Sequence, residues 1–251
     1  MLSTKERLTS YIDGAHAKIN VKLTKVLVLG ILAGMFIAFA SVAHSFSNAL
    51  LENGRLFGAL VFPFGLMMVV ISGSELFTGD CLLIAPLLDK KISFKRFSLF
   101  MVLVYFANFI GAILVALAVV YSGSLSLIAT NVVQTAVTKS TLGFGFAVLK
   151  GILCNFLVCI AVWMAISSKS LTGKALACVP GVFLFVFCGF EHSVANMYYL
   201  FAGLFANGFY SVGNADLTFV NLLFGNLLPV TLGNVLGGSL VGVAYYFVVK
   251  D

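Results

Sequence analysis

Six long apolar stretches, separated by short polar segments, divide the chain. They lie at about 26–44, 57–88, 97–121, 141–167, 175–205 and 221–249. A helix needs about 20 mainly apolar residues to cross the hydrocarbon core of a bilayer. The pattern therefore predicts an all-α integral membrane protein with six membrane-crossing segments, in which residues 26–251 form the transmembrane unit.

The second and fifth stretches are longer than one crossing and are interrupted by polar residues. In the second, Glu75 and Asp80 follow an apolar run, and in the fifth, Glu191 and His192 do the same. Irregular backbone survives at membrane depth only where it is buried in protein or lines a water-filled cavity. A pair of broken segments in corresponding halves indicates a transport site.

The two halves of the chain share short motifs in the same order. Gly30-Ile-Leu-Ala-Gly34 corresponds to Gly151-Ile-Leu-Cys-Asn155, and Asn108-Phe-Ile-Gly111 corresponds to Asn234-Val-Leu-Gly237. With three segments in each half, the second half enters the bilayer from the opposite side. The motifs therefore predict a 3+3 inverted repeat.

Residues 1–25 have a different pattern from the rest. Leu8, Ile12, Ala15 and Ile19 recur at helical spacing among charged residues. This is typical of an amphipathic helix that lies on the membrane surface or under a helical bundle. We expect a separate cytoplasmic helix, which is also the first candidate for a gate, with the loop at 72–79 as the alternative.

Composition supports the membrane assignment and limits the function classes. Hydrophobic residues make up 61% of the 251 residues and charged residues 10%, whereas soluble domains have about 45–50% and about 25%. The six segments leave no room for a soluble catalytic domain. No hydrolase, nucleotide-binding or metal motif occurs, so no enzyme activity, cofactor or metal is predicted. The five cysteines lie in apolar context and are predicted to be buried hydrophobic residues.

The net charge of +6 reflects membrane topology rather than nucleic-acid binding. Twelve of the fifteen Lys and Arg residues lie on one predicted side: Lys5, Arg7, Lys18, Lys22, Lys25, Lys90, Lys91, Lys95, Arg96, Lys169, Lys174 and Lys250. Segments rich in Lys and Arg remain in the cytoplasm. The rule predicts a multi-pass protein of the cell membrane with both termini cytoplasmic.

His192 is the leading candidate for chemistry. An ionisable residue at membrane depth is costly and is functional by default, and imidazole exchanges a proton near physiological pH. Thr78, in the first break, is expected to lie opposite His192 and to hydrogen-bond the ring or a substrate. Glu75 and Glu191 are expected to hold the breaks in shape by accepting hydrogen bonds from the N–H groups that open the next half-helix.

Two amides and two lysines complete the candidate residues. Asn155 and Asn234 lie in otherwise apolar helices, where they either bond the loop backbone or face a permeating species, and the sequence leaves both roles open. Lys139 is expected at the outer mouth, where a positive charge raises the local concentration of anions. Lys150 lies within the fourth segment, and its role stays open.

Four sequence blocks carry a family resemblance. They are Ile71-Ser-Gly-Ser-Glu-Leu-Phe-Thr-Gly79, Gly151-Ile-Leu-Cys-Asn-Phe-Leu-Val-Cys-Ile-Ala161, Glu191-His-Ser-Val-Ala-Asn-Met197 and Pro229-Val-Thr-Leu-Gly-Asn-Val-Leu-Gly-Gly238. Together they resemble the formate/nitrite transporter family over nearly the whole chain, and the hydrosulfide channel branch most. The second block departs from the family at Ile160, where Leu or Val is usual.

The resemblance implies a homopentamer with one pore per subunit and an aquaporin-like fold. His192 matches a central histidine enclosed by two apolar constrictions. Phe62, Leu66, Phe77, Val158 and Phe185 match constriction or gating positions, Thr78 the loop threonine, Lys139 the outer-vestibule lysine, and Asn155 and Asn234 pore-facing asparagines.

The implied function is conduction of small monovalent weak-acid anions such as formate, nitrite and hydrosulfide, with hydrosulfide or formate the best single candidate. An apolar constriction opposes a bare ion, whose transfer to a low-dielectric medium costs on the order of 20 kcal/mol before relaxation. The anion therefore either exchanges its water for amide and imidazole dipoles, or takes a proton, with His192 as donor, and crosses as the neutral acid.

Two alternatives stay open, one within transport and one from another class of protein. A pore for neutral solutes such as water or glycerol predicts transport that does not depend on anion charge. An intramembrane hydrolase, the remoter alternative, requires Ser193 or Ser74 to act with His192.

Overall fold

The computed structural model describes residues 3–250, except for the side chain of residue 250. Its helices are α1 (Thr4–Ile19), α2 (Leu23–Leu50), α3 (Gly54–Ser72), α4 (Phe77–Leu88), α5 (Phe94–Tyr121), α6 (Ala129–Ser140), α7 (Phe144–Ile166), α8 (Leu171–Phe187), α9 (Ser193–Phe209) and α10 (Phe219–Val249). No strand occurs in this part of the chain. The all-α class predicted from the sequence is confirmed.

Five helices, α2, α3, α5, α7 and α10, are long and apolar enough to cross a membrane. The fifth predicted segment, 175–205, is divided between α8 and α9, each of 17 residues. Each of these is at the lower limit of the length that one crossing requires. The protein is a multi-pass membrane protein, and the break in the fifth segment separates two half-helices.

Most predicted boundaries differ from the structure by a few residues, and two differences change an assignment. Helix α2 begins at Leu23, inside the segment that the sequence assigned to the N-terminal helix. Helix α6 lies in the predicted loop between the third and fourth segments. It forms because Val132, Val133 and Ala136 give it a buried apolar face, which packs against α9. This helix carries Lys139 near its C-terminal end.

Helix α1 packs under the bundle. Its N-terminus is closed by a capping box in which the Ser3 hydroxyl accepts from the Glu6 N–H, and the Glu6 carboxylate accepts from the Ser3 N–H. Its buried residues are Leu8, Ile12, Ala15 and Ile19. Leu8 and Ile12 form a cluster with Ala85 on α4 and Trp163 on α7, so these two helices anchor α1.

Both breaks start in the same way, at a glycine. Gly73 ends α3 with a φ of 71°, and Gly189 follows α8 with a φ of 71°. Glycine adopts this left-handed conformation without the strain that a Cβ brings. The Ser74 N–H donates to the Val69 carbonyl and the Phe190 N–H to the Phe185 carbonyl, as in a Schellman helix end. Equivalent local chemistry therefore ends both half-helices.

Glycines also allow close contact between pairs of long helices. A Cβ at Gly34 on α2 would clash with the backbone carbonyl of Asn108 on α5. A Cβ at Gly237 on α10 would clash with the backbone carbonyl of Ile152 on α7. Small residues that let backbones approach are typical of helix packing in membranes. The α2–α5 and α7–α10 pairs are therefore built alike.

We expect Gly237→Ala to destabilise the protein by about 1–3 kcal/mol, because the added methyl group overpacks a backbone contact that cannot yield. Gly208→Ala is the matched control: Gly208 also lies in a helix, but no atom of a neighbouring residue lies within 4 Å of the position that its Cβ would take. Thermal unfolding in detergent micelles measures both. Equal melting temperatures for the two variants would show that the α7–α10 contact tolerates a side chain.

Candidate functional site

Asn108, on α5, holds the backbone of the first break. Its Oδ1 accepts a hydrogen bond from the Phe77 N–H at 2.9 Å. Its Nδ2 donates to the carbonyl oxygens of Gly30 at 2.8 Å and Glu75 at 2.9 Å. One buried amide thereby satisfies backbone groups on both sides of the break and ties them to α2.

Asn234, on α10, does the same for the second break. Its Oδ1 accepts from the Ser193 N–H at 2.8 Å, and its Nδ2 donates to the carbonyls of Gly151 at 2.8 Å and Glu191 at 2.9 Å. Each contact has a counterpart around Asn108. The sequence alignment of the two halves pairs these asparagines, and the structure gives them equivalent partners.

Asn155, on α7, joins the two breaks. Its Nδ2 donates to the Thr78 carbonyl at 3.1 Å and to the Asn234 carbonyl at 2.7 Å. Asn155 and Asn234 are both fully buried. The sequence left open whether these two amides bond the backbone or face a permeating species. In the structure both donate to backbone carbonyls, while the Oδ1 of Asn155 is buried without a partner.

Glu191 is paired with a lysine. The Nζ of Lys139, on α6, donates to Oε1 of Glu191 at 3.0 Å and to Oε2 at 2.9 Å. The side-chain amides of Asn196 and Asn226 also donate to this carboxylate. Lys139 is therefore not an isolated vestibule charge but half of a largely buried ion pair.

Glu75, in the first break, is also paired with a lysine. The Nζ of Lys18, on α1, lies 2.8 Å from Oε2 of Glu75 and 2.6 Å from Oδ1 of Asp80. Burial opposes the charge on Lys18, but the carboxylates of Asp80 and Glu75 outweigh it and raise the pKa of Lys18 above its ordinary value. This contact joins the N-terminal helix to the first break.

The partners of the two glutamates thus differ from those that the sequence led us to expect. The freed N–H groups at Phe77 and Ser193 bond to asparagine amides, whereas the carboxylates of Glu75 and Glu191 point towards lysines. A neutral amide offers a donor as well as an acceptor, so it satisfies both the N–H and the C=O groups that a break leaves open.

His192 lies in the second break and contacts Thr78, which lies in the first turn of α4, directly after the first break. Its Nε2 is 2.9 Å from the Thr78 hydroxyl, and its Nδ1 accepts from the Ala195 N–H at 3.1 Å as the N-cap of α9. Because Nδ1 is an acceptor, we assign the ring proton to Nε2 in the neutral imidazole. The N–H on Nε2 then donates to Thr78.

An aromatic chain lies on one side of His192. The Phe185 ring stacks on the imidazole with centroids 5.6 Å apart, and Phe62 meets Phe185 edge-on at 5.7 Å. Phe62 in turn meets His44 at 6.0 Å, and His44 Nδ1 lies 2.8 Å from the Tyr199 hydroxyl. Phe62 and Phe185 are both buried.

On that side a cavity of about 450 Å³ opens, here called the outer cavity. Its lining includes His44, Lys139, Lys150, Glu191 and Tyr199. A smaller pocket shares several of these residues and continues past the two phenylalanines to His192. The path from the outer cavity to the imidazole is therefore bordered by apolar rings.

On the other side a cavity of about 250 Å³, here called the inner cavity, lies beside α1. Its lining includes Lys18, Leu66, Glu75, Leu76, Gly79 and Asp80. Since Leu76 and Gly79 flank Thr78 in the chain, the contact between Thr78 and His192 lies between the two cavities.

Two predicted constriction residues, Phe77 and Val158, line neither the two cavities nor the smaller pocket that leads to His192. Phe77 is buried and packs edge-on against Tyr105, with centroids 4.9 Å apart. Val158 is buried in the core cluster. Of the five predicted positions, the structure brings Phe62 and Phe185 together beside the outer cavity and places Leu66 on the inner one.

No serine is activated by the histidine. The Ser193 hydroxyl is buried without a hydrogen-bond partner, and the Ser74 hydroxyl bonds to Ser72 at 2.8 Å. Both ring nitrogens of His192 are engaged elsewhere. The arrangement that the hydrolase alternative requires is not formed among the described residues.

The sequence reasoning missed several site residues. It assigned no role to Asn108, although the alignment of the two halves already paired it with Asn234. It assigned no role to His44 or Tyr199 either. Lys18 was counted only as a topological charge. For His44, Tyr199 and Lys18 no local sequence pattern indicated a role, because their contacts join residues far apart in the chain.

A buried polar centre between two cavities, reached past apolar side chains in a helical bundle, defines a membrane transport protein. The chain belongs to the formate/nitrite transporter family: the family model "Formate/nitrite transporter" matches residues 5–248. The protein is accordingly an anion channel or transporter and not an enzyme.

Individual relatives agree with this assignment. The chain is 37% identical to a probable formate transporter of Methanothermobacter thermautotrophicus, with 93% of this chain and 91% of the relative covered. It is 37% identical to the formate channel FocA of Escherichia coli (strain K12), with 89% and 86% covered.

Two solved structures share the fold. A pentameric formate channel with formate bound matches with a TM-score of 0.79 and 32% identity, over 91% of this chain and 98% of that one. An FNT family ion channel matches with a TM-score of 0.85 and 30% identity, over 98% of both chains.

Proposed function

We propose that the protein conducts small monovalent weak-acid anions, formate first among them, through a pore in each subunit with His192 at its centre. The observation that carries the proposal is the contact between His192 and Thr78, which lies between the outer and inner cavities. Phe62 and Phe185 form the outer constriction and Leu66 contributes to the inner one. The formate transporters and channels among the relatives support formate as the substrate.

The hydrogen-bonding geometry supports a specific role for His192. A bare anion at the apolar constrictions loses hydration worth several kcal/mol even after relaxation. A permeating anion replaces the Thr78 oxygen as the acceptor of the Nε2 N–H, and the Thr78 hydroxyl then also donates to it, so both hydrogen bonds stand in for water. Donation of a proton would require a second proton on the ring, at Nδ1, and would remove the acceptor for the Ala195 N–H. We therefore assign His192 as a hydrogen-bond donor, with the acid taking its proton in the cavities at low pH.

The proposed architecture is a 3+3 inverted repeat with six crossings, assembled as a pentamer in the cell membrane. The matching contacts of Asn108 and Asn234 support the repeat, and the pentameric structural relative supports the assembly. The distribution of Lys and Arg supports cytoplasmic termini. In this orientation the inner cavity beside α1 faces the cytoplasm.

Flux into liposomes that hold the purified protein tests the proposal. Formate, nitrite, hydrosulfide, chloride and glycerol are offered in turn at acid and neutral pH. Rapid flux of the weak acids with glycerol excluded is the expected result, and the ranking identifies the substrate. Rapid glycerol flux without anion flux would replace the proposal with the neutral-solute pore.

We expect His192→Phe to reduce formate flux at neutral pH by about tenfold or more, because the central hydrogen-bond donor is lost while the ring volume is kept. A single hydrogen bond to a charged group contributes about 1.5–3 kcal/mol. At acid pH the loss should be smaller, since a neutral acid depends less on that donor. Initial rates of formate uptake at the two pH values measure the effect, and His16→Phe, on α1, is the control. Full retention of flux at both pH values would remove His192 from the mechanism.

A further inference from the structure

The charged side chains that line the outer cavity carry a net positive charge. Three charged side chains line it: Lys139, Lys150 and Glu191. Glu191 accepts hydrogen bonds from Lys139 through both of its carboxylate oxygens. This ion pair is neutral as a whole, so it adds little to the field that an approaching anion meets.

Lys150 carries the remaining positive charge. It is half-buried on α7, and none of the ion pairs within residues 3–250 includes it. Its backbone carbonyl accepts from the Glu191 N–H at 3.4 Å, which joins this turn of α7 to the second break. Arg55, another cation on this side, is occupied: its Nε donates to the Phe187 carbonyl and its guanidinium covers the Phe187 ring.

We propose that Lys150 is the residue that recruits anions to the outer cavity and so sets the concentration at which uptake from that side saturates. The proposal rests on the proposed anion-conducting function. A cavity with low-dielectric walls and one uncompensated charge focuses the field on the opposite ion. The inner cavity differs, since Lys18 there faces the two carboxylates of Glu75 and Asp80. Lys150 therefore acts on uptake from the outer side alone.

The test compares Lys150→Gln with Lys150→Arg in proteoliposomes of determined orientation, with formate as the probe. At low ionic strength Lys150→Gln should raise the half-saturating formate concentration on the outer side about threefold to tenfold, the scale of one nearby charge in water. The maximal rate and the half-saturating concentration on the inner side should stay unchanged. Lys150→Arg should remain within about twofold of the wild type.

Salt separates this electrostatic role from a structural one. In a membrane-impermeant salt at 1 M, where the Debye length is about 3 Å, the difference between Lys150→Gln and the wild type should fall below about twofold. A difference that persists at high salt, or that affects both sides equally, would overturn the proposal. If the wild type conducts formate and Lys150→Gln saturates at the same concentration, only the role of Lys150 fails. If the wild type conducts no weak-acid anion, the proposed function fails and the role of Lys150 fails with it.

Discussion

Lys139→Met is expected to lower the free energy of unfolding by about 3–5 kcal/mol, because it leaves the buried carboxylate of Glu191 without its cation. The Lys139 and Glu191 side chains are 17% and 6% exposed, so water from the outer cavity compensates for the lost charge only in part. Unfolding by titration of a denaturing detergent into mixed micelles measures the change.

Two further variants identify the cause of that loss. The double variant Lys139→Met with Glu191→Gln should recover much of the stability, because the neutral amide still accepts from Asn196 and Asn226 and no charge is left unpaired. Lys150→Met is the matched single control. It removes a half-buried lysine of the same cavity that has no acidic partner, and it should change stability by less than about 1 kcal/mol. Equal losses from Lys139→Met and Lys150→Met would contradict the assignment of the buried pair.

Asn234→Ala is expected to lower the free energy of unfolding by about 3–5 kcal/mol and to abolish most formate flux. It removes three hydrogen bonds at once and leaves the Ser193 N–H and the Glu191 carbonyl unpaired in a buried loop. His192 lies between those two residues, so the loop that positions the imidazole loses its support. The same detergent titration and initial rates of formate uptake provide the two measurements.

Asn108→Ala tests whether the two halves are energetically equivalent. It removes the matching three contacts at the first break and should destabilise the protein to within about 1 kcal/mol of Asn234→Ala. Asn131→Ala, an exposed asparagine on α6, is the control and should have little effect. A loss below about 1 kcal/mol for either buried asparagine would mean that water or a neighbouring group takes over its bonds.

Much of the fold could be read from local patterns. Apolar stretches of membrane length placed the long helices, and the polar interruptions at Glu75 and Glu191 located both breaks. The spacing of Leu8 and Ile12 with their neighbours predicted α1 and the residues that it buries. These features depend on residues close together in the chain, where side-chain periodicity alone indicates which face avoids water.

Other elements depend on neighbours that local patterns do not specify. Helix α6 is too polar to resemble a crossing, and it is stabilised by burying its narrow apolar face against α9. The division of the fifth segment into two half-helices follows from the left-handed turn at Gly189. The sequence indicated a break there but not where each half-helix begins and ends.

The sequence by itself determined that this is a helical membrane protein, that its two halves carry matching motifs and that His192 and Thr78 lie at or beside their breaks. Only the tertiary structure decided the partners: Lys139 for Glu191, Lys18 for Glu75 and Asp80, and the amides of Asn108 and Asn234 for the freed backbone groups. The physical reason is that burial makes each charge and each open N–H require a specific partner. The three-dimensional packing of distant helices determines which residue lies within reach.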